Sequence, residues 1–209
     1  RTPAFIKWFG NWIKAYETKD YTGVSKVIDD NGEPLVVYHG THSNFNIFKY
    51  GQLGYHFGTK KQAELIVRDA KILKWENYIK ECFLNLKNPL YTIDFPRWEW
   101  YIVSKILYKY EILNKKEFDT ITKNKKGQQE NILKDILFQK GYDGFKYDNE
   151  FEGTGISYIA FNPNQIKLAD GSNTTFESNN PDIRFYGGGS VNKKEIYEGK
   201  REWAARRME

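Results

Sequence analysis

Residues 35–41, Leu35-Val36-Val37-Tyr38-His39-Gly40-Thr41, follow the run Asp30-Asn31-Gly32-Glu33-Pro34. The first segment is turn chemistry, and Leu35 to Tyr38 behind it is a short, wholly apolar run, the pattern of a buried strand. His39-Gly40-Thr41 then stands where that strand is expected to end. A second glycine-flanked segment follows: Gly51 and Gly54 bracket a loop leading into Tyr55-His56-Phe57-Gly58. Thr59-Lys60-Lys61-Gln62 has the spacing of a capping box and predicts a helix from about Lys60, with Ala63, Ile66, Val67 and Ala70 on one face.

Working outward to the N-terminus, Thr2 and Pro3 make an N-cap and first-turn pair. Phe5, Trp8, Phe9, Trp12, Ile13 and Tyr16 recur at helical spacing, predicting an aromatic helix over 3–16 that packs on the domain. Toward the C-terminus, Glu81 to Leu86 reads as a strand that stops before Asn88-Pro89. Ile102, Val103, Ile106, Leu107 and Tyr110 form a helical stripe, as do Ile132, Leu133, Ile136 and Leu137, with Gly141 placed as the C′ residue of the latter. Lys123 to Gln129 is a polar loop. Asp143 to Tyr147, Ile156 to Phe161 and Gln165 to Leu168 are the last strand candidates. Residues 170–192 are rich in Gly, Ser and Asn and predict an extended segment or linker, and 193–209 a charged terminal helix.

The chain has the length of one domain of ordinary size with an added segment, assigned here to 1–169. Its 17% aromatic content exceeds that of a disordered chain, and 28% charged residues with no apolar run of about 18 argue against a membrane-embedded protein. Arg1-Thr2-Pro3 carries neither an initiator Met nor a signal pattern, so the chain is expected to be a piece of something longer. One cysteine, Cys82, excludes a disulfide framework and suits a reducing compartment. Between Ser104 and Lys140 nine lysines meet five acids, Glu111, Glu117, Asp119, Glu130 and Asp135, a local excess of +4. Such a patch attracts nucleic acid or acidic proteins, but a solvated surface accounts for it as well and is preferred.

Three histidines are present. His39 and His42 lie three apart, and His56 stands on the second glycine-flanked segment. A metal site is the first candidate for such a set, but no HExxH helix, CxxC pair or acidic ligand cluster accompanies them, and no metal is expected. What favours a functional site is a histidine and glycine at a strand end, followed by aromatic and small residues just before a helix.

Val37-Tyr38-His39-Gly40-Thr41 resembles the first motif of the histidine-type ADP-ribosyltransferases, the branch of diphtheria toxin and the poly(ADP-ribose) polymerases. The ordered series of Asn31 to Thr41, Gly54 to Thr59, Gly141-Tyr142-Asp143-Gly144 and Ser157 to Lys167 closely resembles the ADP-ribosyltransferase domains of phage polyvalent proteins. Asn180-Pro181-Asp182-Ile183-Arg184-Phe185 resembles their trailing segment, so the likeness spans about Phe5 to Phe185. It implies an α+β fold of two small packed mixed or antiparallel sheets with peripheral helices, the region about 100–140 being a Lys-rich helical insertion.

The resemblance further implies NAD⁺ as co-substrate. His39 would anchor the adenosine ribose, the Gly40 backbone would read the nicotinamide carboxamide with Thr41 in support, and Tyr38 and Phe57 would complete the pocket. Two positions depart from the pattern. Relatives have tyrosine directly before the phenylalanine, where this chain has His56 with Tyr55 one place earlier; either ring is a candidate stacker, and His56 is preferred because it stands directly before Phe57. Relatives also place a glutamate where Ser157 stands, to stabilise positive charge developing on the ribose. Glu152 beside Ser157 is preferred as its substitute, ahead of Glu150. The implied activity is transfer of ADP-ribose to a macromolecular acceptor, protein favoured over nucleic acid, in host cytoplasm after delivery by a phage, within a larger polyprotein. NAD⁺ hydrolysis and a catalytically dead NAD⁺-binding module are the alternatives.

Overall fold

Thr2 accepts a hydrogen bond from the Phe5 amide at 3.3 Å, and Pro3 at the first turn opens helix α1, Pro3–Phe9. The computed structural model describes residues 2–49, 51–68, 76–171, 173 and 175–184. The expected single helix over 3–16 is instead two: α1 ends at Gly10 and α2 spans Trp12–Thr18, capped by the Asn11 side chain. Gly10 has φ +104, and a Cβ there would stand 2.6 Å from Val24 Cα and 2.7 Å from the Gly23 oxygen. The chain therefore turns where another strand of backbone presses against it. The break buries Phe5, Trp8, Phe9, Trp12 and Ala15 and turns Ile13 and Tyr16 outward. Phe5 stacks on Phe9 and meets Trp12, Phe83 and Phe176. Lys87 Nζ donates to the Trp8 and Phe9 carbonyls, satisfying the end of α1 and tying it to the domain.

The first sheet has the order β1 (Val37–Thr41), β3 (Tyr78–Leu84), β7 (Ile166–Leu168), all antiparallel neighbours. The second has the order β2 (Tyr55–Phe57), β6 (Ile156–Ala160), β5 (Gly144–Asp148), β4 (Leu90–Thr92), with β4 parallel to β5. Val37, Phe57, Cys82, Leu84, Tyr158, Ala160 and Ile166 fill the space between the sheets. Phe145, Tyr147 and Ile159 instead join a core built with α4 (Trp100–Lys109), α5 (Lys115–Thr122) and α6 (Gln129–Gln139). Each large side chain buried in these cores contributes roughly 1.5–3 kcal/mol. The α+β architecture is the one expected.

Several elements differ in extent. The strand expected to end at Tyr38 continues through Thr41, so His39 and Gly40 lie inside β1. Tyr55 to Phe57, into which the bracketed loop leads, forms strand β2, because Tyr55, His56 and Phe57 pair with Ala160, Ile159 and Tyr158. β3 begins at Tyr78 rather than Glu81, and β4 is an added strand after Pro89. The capping box before α3, Lys60–Val67, is formed in both halves, and α3 packs on β1. In the lysine-rich region, Lys115 and Lys123 both pair with Asp119, and Lys140 pairs with Glu117.

The segment after 169 is not a free linker over its described part. Ile183 and Asn173 are buried, Ile47 bridges Asp182, and the Leu168 amide donates to the Ile183 oxygen. The buried Lys167 donates to the Asn180 and Asp182 carbonyls. One apolar residue, Ile183, supplies the burial that composition hides. Residues 185–209, including the expected helix 193–209, lie outside the described residues, as does Ala70.

Candidate functional site

The two sheets meet edge to edge at one point. Tyr38 N–H donates to the Gly58 oxygen at 2.9 Å, and Gly58 N–H donates back to the Tyr38 oxygen at 3.0 Å. Within a strand, successive residues aim their amide and carbonyl to opposite edges. Tyr38 uses the edge away from β3, so Gly40, two residues on, turns its N–H and C=O to that same edge and out of the β1–β3 ladder. There they border a cleft of about 470 Å³. Glycine is required at this position by close approach: a Cβ would stand 2.4 Å from the Ala63 carbonyl and 3.1 Å from Ile66 Cβ on α3.

Tyr38, His39 and Gly40 line one wall of the cleft, and His56, Phe57 and Gly58 the next. His39 Nδ1–H donates to the His56 main-chain oxygen at 2.8 Å. His56 Nε2–H donates to the Gln52 carbonyl at 2.9 Å. A carbonyl can only accept, so each bond fixes a tautomer: His39 keeps a bare Nε2 and His56 a bare Nδ1. Burial lowers the pKa of His39 to about 4, against the opposing pull of its bond to His56. Burial also lowers that of His56, opposed by its bond to Gln52 and by Glu152 and Asp94 nearby. Both rings are therefore neutral hydrogen-bond acceptors at neutral pH.

The third wall comes from two segments that carry no motif. After β4, Asp94, Phe95, Pro96, Arg97 and Trp98 enter the cleft. Trp98 stands edge-on to His56 with ring centroids 5.7 Å apart and packs on Tyr147 at 4.6 Å. Asp94 accepts from Trp98 Nε1 at 3.3 Å and from the Glu150 amide at 2.9 Å, bracing this segment to the loop after β5. That loop brings Asn149, Phe151 and Glu152 to the cleft. Asn149 Nδ2 donates to Glu152 Oε2 at 2.6 Å and to Ser157 Oγ at 3.1 Å. Ser157 Oγ donates to Gln62 Oε1 at 3.3 Å, and Gln62 Nε2 donates to the Gly153 carbonyl at 2.8 Å. Burial, with Asp94 and Glu152 alongside, raises the pKa of the Tyr147 hydroxyl, which also hydrogen-bonds Ser157.

Of the residues singled out from the sequence, Tyr38, His39, Gly40, His56, Phe57, Glu152 and Ser157 converge on this cleft. Tyr55, Thr41, His42 and Glu150 do not line it. Tyr55 points to the opposite face of β2, packing on Phe48 at 5.2 Å within the core between the sheets. Ser157 is only 2% exposed and fully engaged as a link between neighbours. Trp98, Asp94, Arg97, Asn149 and Gln62 were not anticipated as site residues. Gln62 was visible as part of the capping box, whereas nothing local marks the others.

The cleft offers two neutral imidazole acceptors, a main-chain donor and acceptor side by side at Gly40, an aromatic floor and a held carboxylate. That set suits a ligand with sugar hydroxyls, a planar carboxamide and a centre of positive charge. No group of three or more His, Cys, Asp or Glu suited to a metal occurs among the described residues, and no helix there is long and apolar enough to cross a membrane.

A family model described as "ADP-Ribosyltransferase in polyvalent proteins" matches residues 29–176. No curated protein matches. Among solved structures, a "Crystal structure of an anti-CRISPR protein" aligns with 64% of this chain and 93% of its own at 10% identity and a TM-score of 0.32, a likeness too low to carry any argument.

Proposed function

This chain belongs to the family of ADP-ribosyltransferases in polyvalent proteins, and from that premise we propose that it binds NAD⁺ in the cleft between its sheets and transfers ADP-ribose to a macromolecular acceptor. ADP-ribosyltransferase domains use NAD⁺ as co-substrate, and bound NAD⁺ supplies an ADP-ribosyl group whose C1′ is joined to nicotinamide, a leaving group that departs with the bonding pair. The observation that carries the proposal is the free main-chain edge of Gly40. An N–H and a C=O on the same side of one residue match the C=O and NH₂ of a primary carboxamide.

The chain's own residues then have distinct tasks. The bare Nε2 of His39 accepts from a ribose hydroxyl, as in the histidine-type branch of the fold. His56, held edge-on by Trp98, presents its ring to the nicotinamide. Glu152, in place of the glutamate that relatives carry where Ser157 stands, places negative charge where positive charge develops on the ribose, and a preorganised carboxylate is worth about 10²–10³ in rate. We favour a protein acceptor, host cytoplasm as the place of action and phage delivery as part of a polyprotein.

A second reading has its own support. Ser157 is buried and neutral where relatives have a carboxylate, which favours a domain that binds NAD⁺ without turnover. Incubating a host lysate with tagged NAD⁺ while measuring nicotinamide release separates the possibilities. Label in macromolecules supports transfer, nicotinamide release with free ADP-ribose alone supports hydrolysis, and tight binding with neither supports the binding module. His39→Ala is expected to weaken NAD⁺ binding at least about tenfold, the cost of one buried hydrogen bond. Unchanged affinity in the folded variant would rule out the assignment.

A further inference from the structure

We propose that Asn149 is a positioning residue for the reaction, holding the Glu152 carboxylate in the cleft by hydrogen bonds that also lock it to Ser157 and, through Gln62, to the start of α3. The inference rests on the role given above to Glu152.

Asn149 is 6% exposed and uses the whole of its amide. Its Oδ1 accepts from the Phe151 amide at 3.1 Å and the Glu152 amide at 2.8 Å, which folds the loop back on itself. Its two N–H groups go to Glu152 Oε2 and Ser157 Oγ. Its main-chain amide donates to the Gly155 oxygen at 2.9 Å, closing the loop's base. One half of the side chain thus builds the loop while the other fixes the acid that the loop carries. Without the second half, Glu152 would be a surface-loop carboxylate with several rotamers open to it. An Asp at 149 keeps the acceptor that folds the loop, yet removes the donor and sets a second negative charge against Glu152.

The position also fits the departure at Ser157, where the family resemblance implies a glutamate on the strand. A carboxylate on a strand needs no extra support, because the ladder fixes its Cα. A carboxylate on a loop needs a brace, and Asn149 supplies it from the residue that directly follows β5.

The test uses the full chain, with nicotinamide release and NAD⁺ affinity measured in parallel. Asn149→Asp is expected to lower kcat about 100-fold, the scale of an angstrom-sized misplacement, while KM and Kd for NAD⁺ stay within about threefold. Asn149→Ser, which keeps a hydroxyl acceptor for the loop but cannot reach Glu152, should show the same split. In a Glu152→Gln background, Asn149→Asp should cost little more, because both changes remove one function. Near-parental kcat in both Asn149 variants while Glu152→Gln is inactive overturns the positioning role and leaves Glu152 in place. Full activity in Glu152→Gln overturns the role of Glu152 and the inference with it, as does a parent protein that releases no nicotinamide. Loss of NAD⁺ affinity along with kcat, or a full additive loss in the double variant, makes Asn149 a structural residue and overturns the proposal.

Discussion

His39 Nδ1–H donates to the main-chain oxygen of His56 at 2.8 Å, so the ring of one sheet is held by a strand of the other. The bond joins the two motifs across the cleft and puts the proton of the neutral ring on Nδ1, leaving Nε2 bare, while burial, against the pull of the bond, keeps His39 neutral. It also means that protonating His39 at Nε2 must place a charge within a site that burial makes unfavourable.

Stability should therefore depend on pH in a defined window. The folded-state pKa of His39 is about 4, and that of His56 is also lowered, against an ordinary value near 6.5 when unfolded. The unfolded chain binds more protons below 6.5, so the stabilisation is complete above that pH and is lost as pH falls from 6.5 toward 4. Each histidine contributes a slope of at most about 1.4 kcal/mol per pH unit. Urea unfolding at pH 7.5, 6.0 and 5.0 is expected to show this decline, with a shallower one in His39→Ala. An identical pH profile in that variant would mean that His39 is not held neutral by the fold. The part of NAD⁺ affinity that depends on His39, by the same argument, should stay flat between pH 8 and 5.5.

The opposite faces of β2 predict a division between Tyr55 and His56. His56→Ala should lose binding of nicotinamide as well as NAD⁺, since ring contacts contribute roughly 0.5–1.5 kcal/mol beyond area burial. Tyr55→Ala should leave nicotinamide affinity intact but lower stability by about 1–3 kcal/mol, through lost packing on Phe48. Nicotinamide titrations and thermal melts of both variants check this, and a reversed pattern would exchange their roles.

Gly40→Ala tests the strand edge. Its Cβ would lie 2.4 Å from the Ala63 carbonyl, so α3 must move off β1. A loss of about 1–3 kcal/mol in stability is expected, with NAD⁺ affinity falling more than stability alone accounts for. Parental affinity in this variant would remove Gly40 from the carboxamide role.

Ser157→Glu, which installs the glutamate that the family resemblance implies at this place, is expected to fail. Ser157 is enclosed by Asn149, Gln62 and Gly58. A carboxylate there must displace the link to Gln62 and lie beside Glu152, destabilising the fold by about 2–4 kcal/mol. Faster nicotinamide release from a stable Ser157→Glu protein would show that position 157 is the proper seat of the acid and that Glu152 is not.

The sequence by itself determined what local chemistry controls. The Thr59 to Gln62 capping box, the Gly141 helix end and the strands about Val37, Phe145 and Ile159 depend on residues within a few positions of each other. The order of the motifs around His39, His56 and Ser157 was sufficient to identify the family. Only the tertiary structure decided the strand identity of Tyr55 to Phe57, because three residues form a strand only when Tyr158 to Ala160 is beside them. It also decided that His56 rather than Tyr55 faces the cleft, since strand register sets which side chain points which way. Trp98, Asp94 and Asn149 join the site through contacts such as Glu150 to Asp94, 56 residues apart in the chain. Neither residue type nor spacing records such a contact, because it is made by the packing of β4 against β5 and not by the segments themselves.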